Sequence, residues 1–434
     1  MKLHNAFSVH GSPSEPSDTA RPTRSTVEWN SIIRRSPPVK SLSVYAHAML
    51  PSGALPNKFT FTFLLKACIH GFFSSLSCLH AHIILLGLHR DPFLRSSLIT
   101  TYAHHRQVSM VDHLFRQETS NDTVVHTALV SAYARCGLLE SARKAFDEMP
   151  QRNPVSWAAL LTAYSGSTRD VEALGVFRRM LIESVECTEA ALVCALSSAA
   201  RLGALMYGQR AHLLIVVSGM HVPSAALGTA LLGMYAKCGL VDDALKVFDR
   251  MPQRDQPAWT AMISALAAHG RGPEALDLFG EMLEFGFKPD SVICIAVLHA
   301  CSHAGLVEKA REYFNLMVRV YGIRPGLEHY GCMVDVLGRA GQVEEAWKMV
   351  HSMPMEADEY VLKSLLYTCC NHMFLEYAEW AAEKLMSLNA GQASSYVLLS
   401  NAYASLGQWD SVERLRKLMR ARGVPKISGS SAVE

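Results

Sequence analysis

The sequence is short of charge and has almost no excess of either sign. Only 18% of its 434 residues are charged, and 41 basic against 39 acidic residues leave a net +2. No partner gripped by bulk charge of one sign is implied. A nucleic-acid binder that relies on phosphate neutralisation is ordinarily more basic. Cysteine is present but unorganised: eleven thiols scatter from Cys68 to Cys370 without one CxxC pair. This excludes a regular disulfide framework and fits buried thiols in a reducing compartment. No apolar run approaches the roughly 18 residues of a membrane span. The best, 213–217, is only of core length. The first 25 residues lack an apolar h-region, which argues against a secretory signal. They are rich in Ser, Pro, Arg and Thr yet contain Glu15 and Asp18. An organelle transit peptide and a plain disordered tail are both compatible with them. The chain also lacks a GxxxxGK phosphate loop, a GxSxG elbow and an HExxH helix.

What is abundant is apolar material: half of the residues are hydrophobic, ample for a core. It is arranged as a repeat. Residues 133–152, YARCGLLESARKAFDEMPQR, return 102 positions later as YAKCGLVDDALKVFDRMPQR at 235–254, and Trp157 returns as Trp259. The same skeleton recurs at 164–180, 266–282 and 337–353. The 102 residues divide into units of 31, 35 and 36, namely 123–153, 154–188 and 189–224. The cycle continues as 225–255, 256–290, 291–326 and 327–358, and backwards as 92–122, 58–91 and a shortened 26–57, ten units in all.

Each unit reads as two helices joined by a Gly-centred turn. In 225–255, Leu231, Leu232 and Tyr235 form the inner stripe of the first helix. Gly239 stands where that helix must end, because glycine tolerates a left-handed cap. Ala244, Val247 and Phe248 recur at the spacing of one buried face. Met251-Pro252 closes the second helix, since proline cannot continue it. A single hairpin cannot bury its apolar stripe, whereas stacked neighbours can. The expected fold is all-α, a right-handed α-solenoid of about ten stacked hairpins with further helical hairpins behind them.

Tetratricopeptide repeats run at about 34 residues with a WxxLGxxY first helix, a pattern absent here. The sequence instead resembles the pentatricopeptide repeat family, in its plant PLS subclass, whose units alternate in length in this way. The resemblance covers 26–358 as repeats. It continues through 396–434, YVLLSNAYASLGQWDSVERLRKLMRARGVPKISGSSAVE, which is similar to the family's E motifs. Residues 359–434 are therefore expected to form an E-type helical extension.

The resemblance implies modular reading of single-stranded RNA, one base per unit. The fifth and last residues of a unit would face the base edge. These pairs are Asn30/Asn57, Ser96/Asp122, Thr127/Asn153, Thr229/Asp255 and Thr260/Asp290, with Thr62/Asp91 carrying less weight because it lies in a long-type unit. The residue types suit base recognition, since Asp only accepts hydrogen bonds, whereas Asn accepts and donates. The family's code reads Thr/Asp and Ser/Asp as guanine, Thr/Asn as adenine and Asn/Asn as a pyrimidine. Second-position residues, here Val27, Phe93, Val124 and Val155, would flank the bases. Asp and Asn near helix ends are also ordinary N-caps, the competing explanation. Ala158/Thr188, Val193/Ser224, Ile295/Gly326 and Gly331/Asp358 yield no base. The implied target, 5′ to 3′, is pyrimidine, G, G, A, two unread, G, G, two unread.

Relatives with a longer tail carry a zinc deaminase-like domain, which needs HxE and PCxxC ligand sets. None of the 19 histidines has Glu two places on, PCxxC is absent, and the sequence ends at Glu434, before that domain is expected. No catalytic activity, metal or cofactor is therefore expected. His104-His105-Arg106, with His113, occupies a helix–turn junction rather than a metal site. Cys136 and Cys238 are equivalent repeat residues, and Cys369-Cys370 suit packing. Arg414, Arg416, Lys417, Arg420 and Arg422 form a basic helix face, either solvated or docking RNA or an acidic partner. The resemblance favours a partner: a separate deaminase-bearing protein of the same family, recruited in trans. Together these imply an RNA-binding adaptor for C-to-U editing in a plant organelle, the mitochondrion or alternatively the chloroplast. A stability, splicing or translation factor and a protein–protein scaffold are the other expectations. No membrane partner is expected.

Overall fold

The computed structural model describes residues 24–69, 71–116, 122–219, 224–388 and 393–424. The N-terminal segment in question for targeting, up to residue 23, and the last ten residues of the E-like extension lie outside them. Among the described residues every regular element is helical.

The chain divides into two compact units, Met1–Gly219 and Met220–Glu434. The first contains α1 (Thr26–Arg35), α2 (Pro38–Val44, continued by a π turn at Tyr45–Met49), α3 (Lys58–Cys68), α4 (Phe73–Leu85), α5 (Pro92–His104) and α6 (Val108–Arg116). It continues with α7 (Thr123–Arg135), α8 (Leu139–Asp147), α9 (Pro154–Gly166), α10 (Asp170–Ile182), α11 (Glu189–Leu202) and α12 (Leu205–Val217). The second contains α13 (Ala225–Lys237), α14 (Val241–Arg250), α15 (Gln256–Ala268), α16 (Gly272–Glu284), α17 (Ser291–Ala304) and α18 (Val307–Arg319). There follow α19 (Leu327–Arg339), α20 (Val343–Ser352), α21 (Glu359–Asn371), α22 (Leu375–Leu388), α23 (Ala393–Ser405) and α24 (Trp409–Ala421).

Within each unit the odd-numbered helices pack on one another as one layer: α1 through α11 in the first, α13 through α23 in the second. The even-numbered helices form a second layer against them. Each unit is thus an α-solenoid, and its core lies between the layers. The stripes read from 225–255 are the faces that meet there: Leu231, Leu232, Tyr235, Ala244 and Phe248 are buried, with Val247 half-buried.

The repeated words of the sequence have local causes. Gly239 has φ +83°, and behind it Leu240 N–H donates to Tyr235 O at 2.9 Å, the left-handed helix stop that glycine permits. Arg106 holds the equivalent left-handed position without being glycine, at φ +54°, so His104-His105-Arg106 is a turn. The FDxMPQR…W motif is a staple. Arg152 donates to Phe146 O (3.2 Å) and Asp147 O (2.9 Å), and Arg254 to Phe248 O (3.1 Å) and Asp249 O (3.3 Å). These are carbonyls in the last turns of α8 and α14, where a cation is also favoured by the helix dipole. The guanidinium covers the Phe ring, and that ring meets a fully buried tryptophan edge-on: Phe146 with Trp157 at 4.7 Å, Phe248 with Trp259 at 5.0 Å. Truncating either tryptophan to alanine is expected to cost about 3–5 kcal/mol.

All eleven cysteines are free. Cys369 and Cys370 are buried on α21, and burial pushes their thiols up to about 12 and about 11. Such thiols are packed rather than reactive.

Candidate nucleic-acid interface

The last residue of each sequence unit precedes a first helix, and every one with a polar side chain caps it. Asn57 Oδ1 accepts from Phe59 and Thr60 N–H, and Asp91 Oδ1 from Phe93 and Leu94 N–H. Asp122 caps Val124 (2.7 Å), Asn153 caps Ser156 (2.9 Å), Asp255 caps Ala258 (3.0 Å), Asp290 caps Ile293 (2.9 Å) and Asp358 caps Val361 (3.0 Å). The N-cap explanation is therefore physically present at every Asp and Asn among these positions, whereas Gly326 makes no side-chain cap. It does not exhaust the side chain. A carboxylate or carboxamide has two terminal atoms, and in each cap one of them, Oδ1, makes the capping bond. In Asp122 and Asp255 no hydrogen bond from the described residues engages Oδ2.

The fifth residues lie one turn into the same helices, half-buried except for Asn30, which is buried. Thr62, Thr127 and Thr260 donate back to the carbonyl four residues earlier, at 2.8, 2.7 and 2.9 Å. That leaves their hydroxyl oxygens as acceptors. Thr229 differs: its Oγ1 is shielded and has no hydrogen-bond partner among the described residues. A shielded polar atom without a partner costs free energy.

The pairs are joined to different degrees. Asn30 Nδ2 donates to Asn57 Oδ1 at 3.1 Å, and Thr60 Oγ1 donates to Asn30 Oδ1 at 2.6 Å. Thr62 and Asp91 are linked through Lys58, whose Nζ lies 3.4 Å from Asp91 Oδ2. Thr260 and Asp290 are linked through Gln256, whose Nε2 donates to Asp290 Oδ2 at 2.9 Å. Ser96/Asp122, Thr127/Asn153 and Thr229/Asp255 are not hydrogen-bonded to each other.

The second residues all point outward. Val27, Phe93, Val124 and Val155 are exposed, and so are Phe59, Val292 and Tyr360, which had not been singled out although they occupy the same column. Around the first pair these parts form a cleft of about 790 Å³. Val27 and Phe59 line it with Asn30 and Asn57, and Arg34 and Arg35 supply positive charge. Lys58, also missed, lies 5.8 Å from the Phe59 ring centre and 6.0 Å from that of Phe93. An ammonium thus stands between two exposed aromatic rings beside Asp91.

Two units without a base assignment have structural reasons. Ala158 is buried. At Gly331 any Cβ would meet Tyr360 Cε1 at 2.5 Å, so the ring occupies the place of a fifth side chain. The turn residues are also explained: His105 Nε2–H donates to Cys68 O (2.9 Å) and Cys136 Sγ to Ala103 O (3.7 Å), each closing a carbonyl of the preceding first helix.

The basic face of α24 is divided. Arg416 and Arg420 line a cleft of about 280 Å³ with Tyr396, Ser400 and Asn401. Arg416 Nε donates to Ser400 Oγ at 3.3 Å. Lys417 is ion-paired with Glu413 at 2.7 Å, Arg414 bonds Ser411 at 3.0 Å, and Arg422 bonds Tyr396 at 2.9 Å.

A family model described as "PPR repeat" matches residues 124–154, 229–255, 257–287, 292–320 and 328–356, and one described as "E motif" matches 372–434. The pentatricopeptide repeat-containing protein At5g56310 of Arabidopsis thaliana is 36% identical over 96% of this chain and 80% of its own length. From the same plant, At2g03880, named mitochondrial, is 36% identical over 95% of this chain and 60% of its own length. CRR2, named chloroplastic, is 36% identical over 88% of this chain and 54% of its own length. The chain spans about half the length of several curated relatives it matches, 43% in one case. Among solved structures, maize PPR10 is similar over 92% of this chain and 64% of its own, at 16% identity and a TM-score of 0.49. Neither matched model, repeat or E motif, is a catalytic domain. Repeated hairpins, a matching tail and similarity to one relative over 96% of this chain and 80% of that relative place this chain in the pentatricopeptide repeat family, in its PLS-type branch with a C-terminal E motif.

Proposed function

We propose that this protein binds single-stranded RNA sequence-specifically and, in a plant organelle, marks a cytidine for C-to-U editing by a deaminase supplied in trans. The observation that carries the RNA-reading part is the division of labour in the capping residues. Oδ1 makes the capping bond, and at Asp122 and Asp255 no hydrogen bond from the described residues engages Oδ2, while the paired fifth residues Ser96 and Thr229 are half-buried hydroxyls. Exposed Val, Phe and Tyr side chains at the second positions supply faces for bases to stack on. In the first unit the readers are Asn30/Asn57, Thr62/Asp91, Ser96/Asp122 and Thr127/Asn153. In the second they are Thr229/Asp255 and Thr260/Asp290. The E-motif helices carry the recruiting surface, with Arg416 and Arg420 in the α23–α24 cleft as its charged part. Similarity to relatives named mitochondrial and chloroplastic supports an organelle; our reading is the mitochondrion, with the chloroplast as the alternative.

A transcriptome-wide comparison of organelle editing in plants with and without the protein tests this. One or a few cytidines should lose editing, each preceded by a match to the pattern above. Unchanged editing with altered transcript ends, splicing or abundance would instead assign a maturation role. A chain that selects no RNA from a randomised single-stranded pool would refute both and leave a protein scaffold.

A further inference from the structure

Helix α17 carries His299 and His303 one turn apart. They follow Ile295 at steps of four, so the three side chains form one stripe. Ile295 stands at the fifth position of a unit that reads no base, so this stripe is left without a role by the RNA code. His303 is exposed and His299 half-buried. Their ring centres are 4.4 Å apart at 74°, and the two Nε2 atoms face each other at 3.1 Å. One ring therefore donates Nε2–H to the lone pair of the other. Burial, then the neighbouring His303, hold the His299 pKa below its usual value. Around them, Asp335 on α19 accepts from Ser302 and is ion-paired with Arg339 at 3.0 Å, so its charge is already engaged.

The separation suits a metal ion. Zinc–imidazole bonds are about 2.0–2.1 Å, and two such bonds to nitrogens 3.1 Å apart enclose about 98°. That lies between the about 90° of cis square-planar or octahedral ligands and the about 109° of a tetrahedron. We propose that His299 and His303 form a two-histidine clamp for a divalent transition-metal ion: Zn²⁺, Ni²⁺ or Cu²⁺. The ion takes the place of the bridging N–H. The ring that donated it shifts to its Nδ1–H tautomer, so both ligands are neutral imidazoles and no proton is released. Among the described residues no cluster of three or more metal-binding side chains occurs. The clamp therefore supplies two ligands and leaves the remaining positions to water or an incoming donor. It is an exchangeable site, unlike a closed structural zinc.

The test uses the full chain and the metal alone. Titration with NiCl2 by isothermal calorimetry at about pH 7.5, where an ordinary imidazole is neutral, is expected to show one saturable equivalent that His299→Ala and His303→Ala each remove. Loss of one chelating ligand should weaken that equivalent by about a hundredfold. Because His303 is exposed, His303→Ala keeps the fold, with unchanged helical circular dichroism as the control, and decides the matter if His299→Ala does not fold. Asp335→Asn should leave the equivalent in place. The same stoichiometry and affinity in wild type and His303→Ala would overturn the clamp. ZnCl2 run in parallel should give the same loss on His303→Ala with weaker binding, following the usual order of divalent affinities between Ni²⁺ and Zn²⁺ where geometry permits.

Discussion

Asp255 separates capping from reading more cleanly than any other residue. Its Oδ1 accepts from Ala258 N–H at 3.0 Å, while among the described residues nothing bonds Oδ2 and the partner hydroxyl of Thr229 is unsatisfied. Asp255→Ala removes both functions, and the lost cap alone costs about 1 kcal/mol. A binding defect in that variant would be ambiguous. Asp255→Asn is the sharper perturbation. Asn caps as well as Asp, so the thermal midpoint should stay at the wild-type value while Asp255→Ala unfolds earlier. At the other terminal atom an acceptor becomes a donor. An edge presenting donors is then met by donors, a loss of about 1–3 kcal/mol for a good base contact, or roughly 5- to 150-fold. Selection from a randomised single-stranded RNA pool should show guanine giving way to adenine at one position, with the others unchanged. If Asp255→Asn selects the same RNA as wild type at every position, the aspartates are caps and nothing more, and the base-reading assignment fails.

Other predictions follow from the same geometry. Lys58→Ala should sharpen base preference at the position read by Thr62/Asp91, because the ammonium between Phe59 and Phe93 no longer competes with a base; unchanged selection there would show that Lys58 does not occupy the slot. Gly331→Thr should destabilise the protein through its clash with Tyr360, and Tyr360→Ala should restore stability; additive losses in a double-mutant cycle would refute the contact. His80, His82, His299 and His329 all have pKa values lowered chiefly by burial. The unfolded chain then binds more protons than the folded one below about 6.5, so stability is intact above that pH and falls as acid titrates these rings. A thermal midpoint that does not drop between about pH 7.5 and 5.5 would contradict this.

Helical hairpins were legible because their punctuation is local. Gly239 and Met251-Pro252 stop helices wherever the chain is, Leu231, Leu232 and Tyr235 share one face of the first helix, and Ala244 and Phe248 share one face of the second. The repeat at 102 residues made the stacking legible too, since an exposed stripe copied many times has only its neighbours to cover it. The columns of fifth, last and second residues could be counted from the unit starts, and Phe59, Val292 and Tyr360 were missed only for want of counting every unit.

Some facts no spacing could supply. The tie between Lys58 and Asp91 joins residues 33 apart in sequence and exists only because consecutive hairpins set them side by side. Gly331 has no room for a longer side chain because a ring from the next hairpin fills its space, a contact that depends on how closely α19 and α21 pack. The facing Nε2 atoms of His299 and His303 depend on side-chain rotamers, which a pattern of i and i+4 permits but does not choose. By itself, then, the sequence determined which residues form helices and which face each helix buries, because those follow from short-range sterics and periodic apolarity. Only the tertiary structure decided which polar atoms are left over at the surface for a ligand, because that depends on partners contributed from distant parts of the chain.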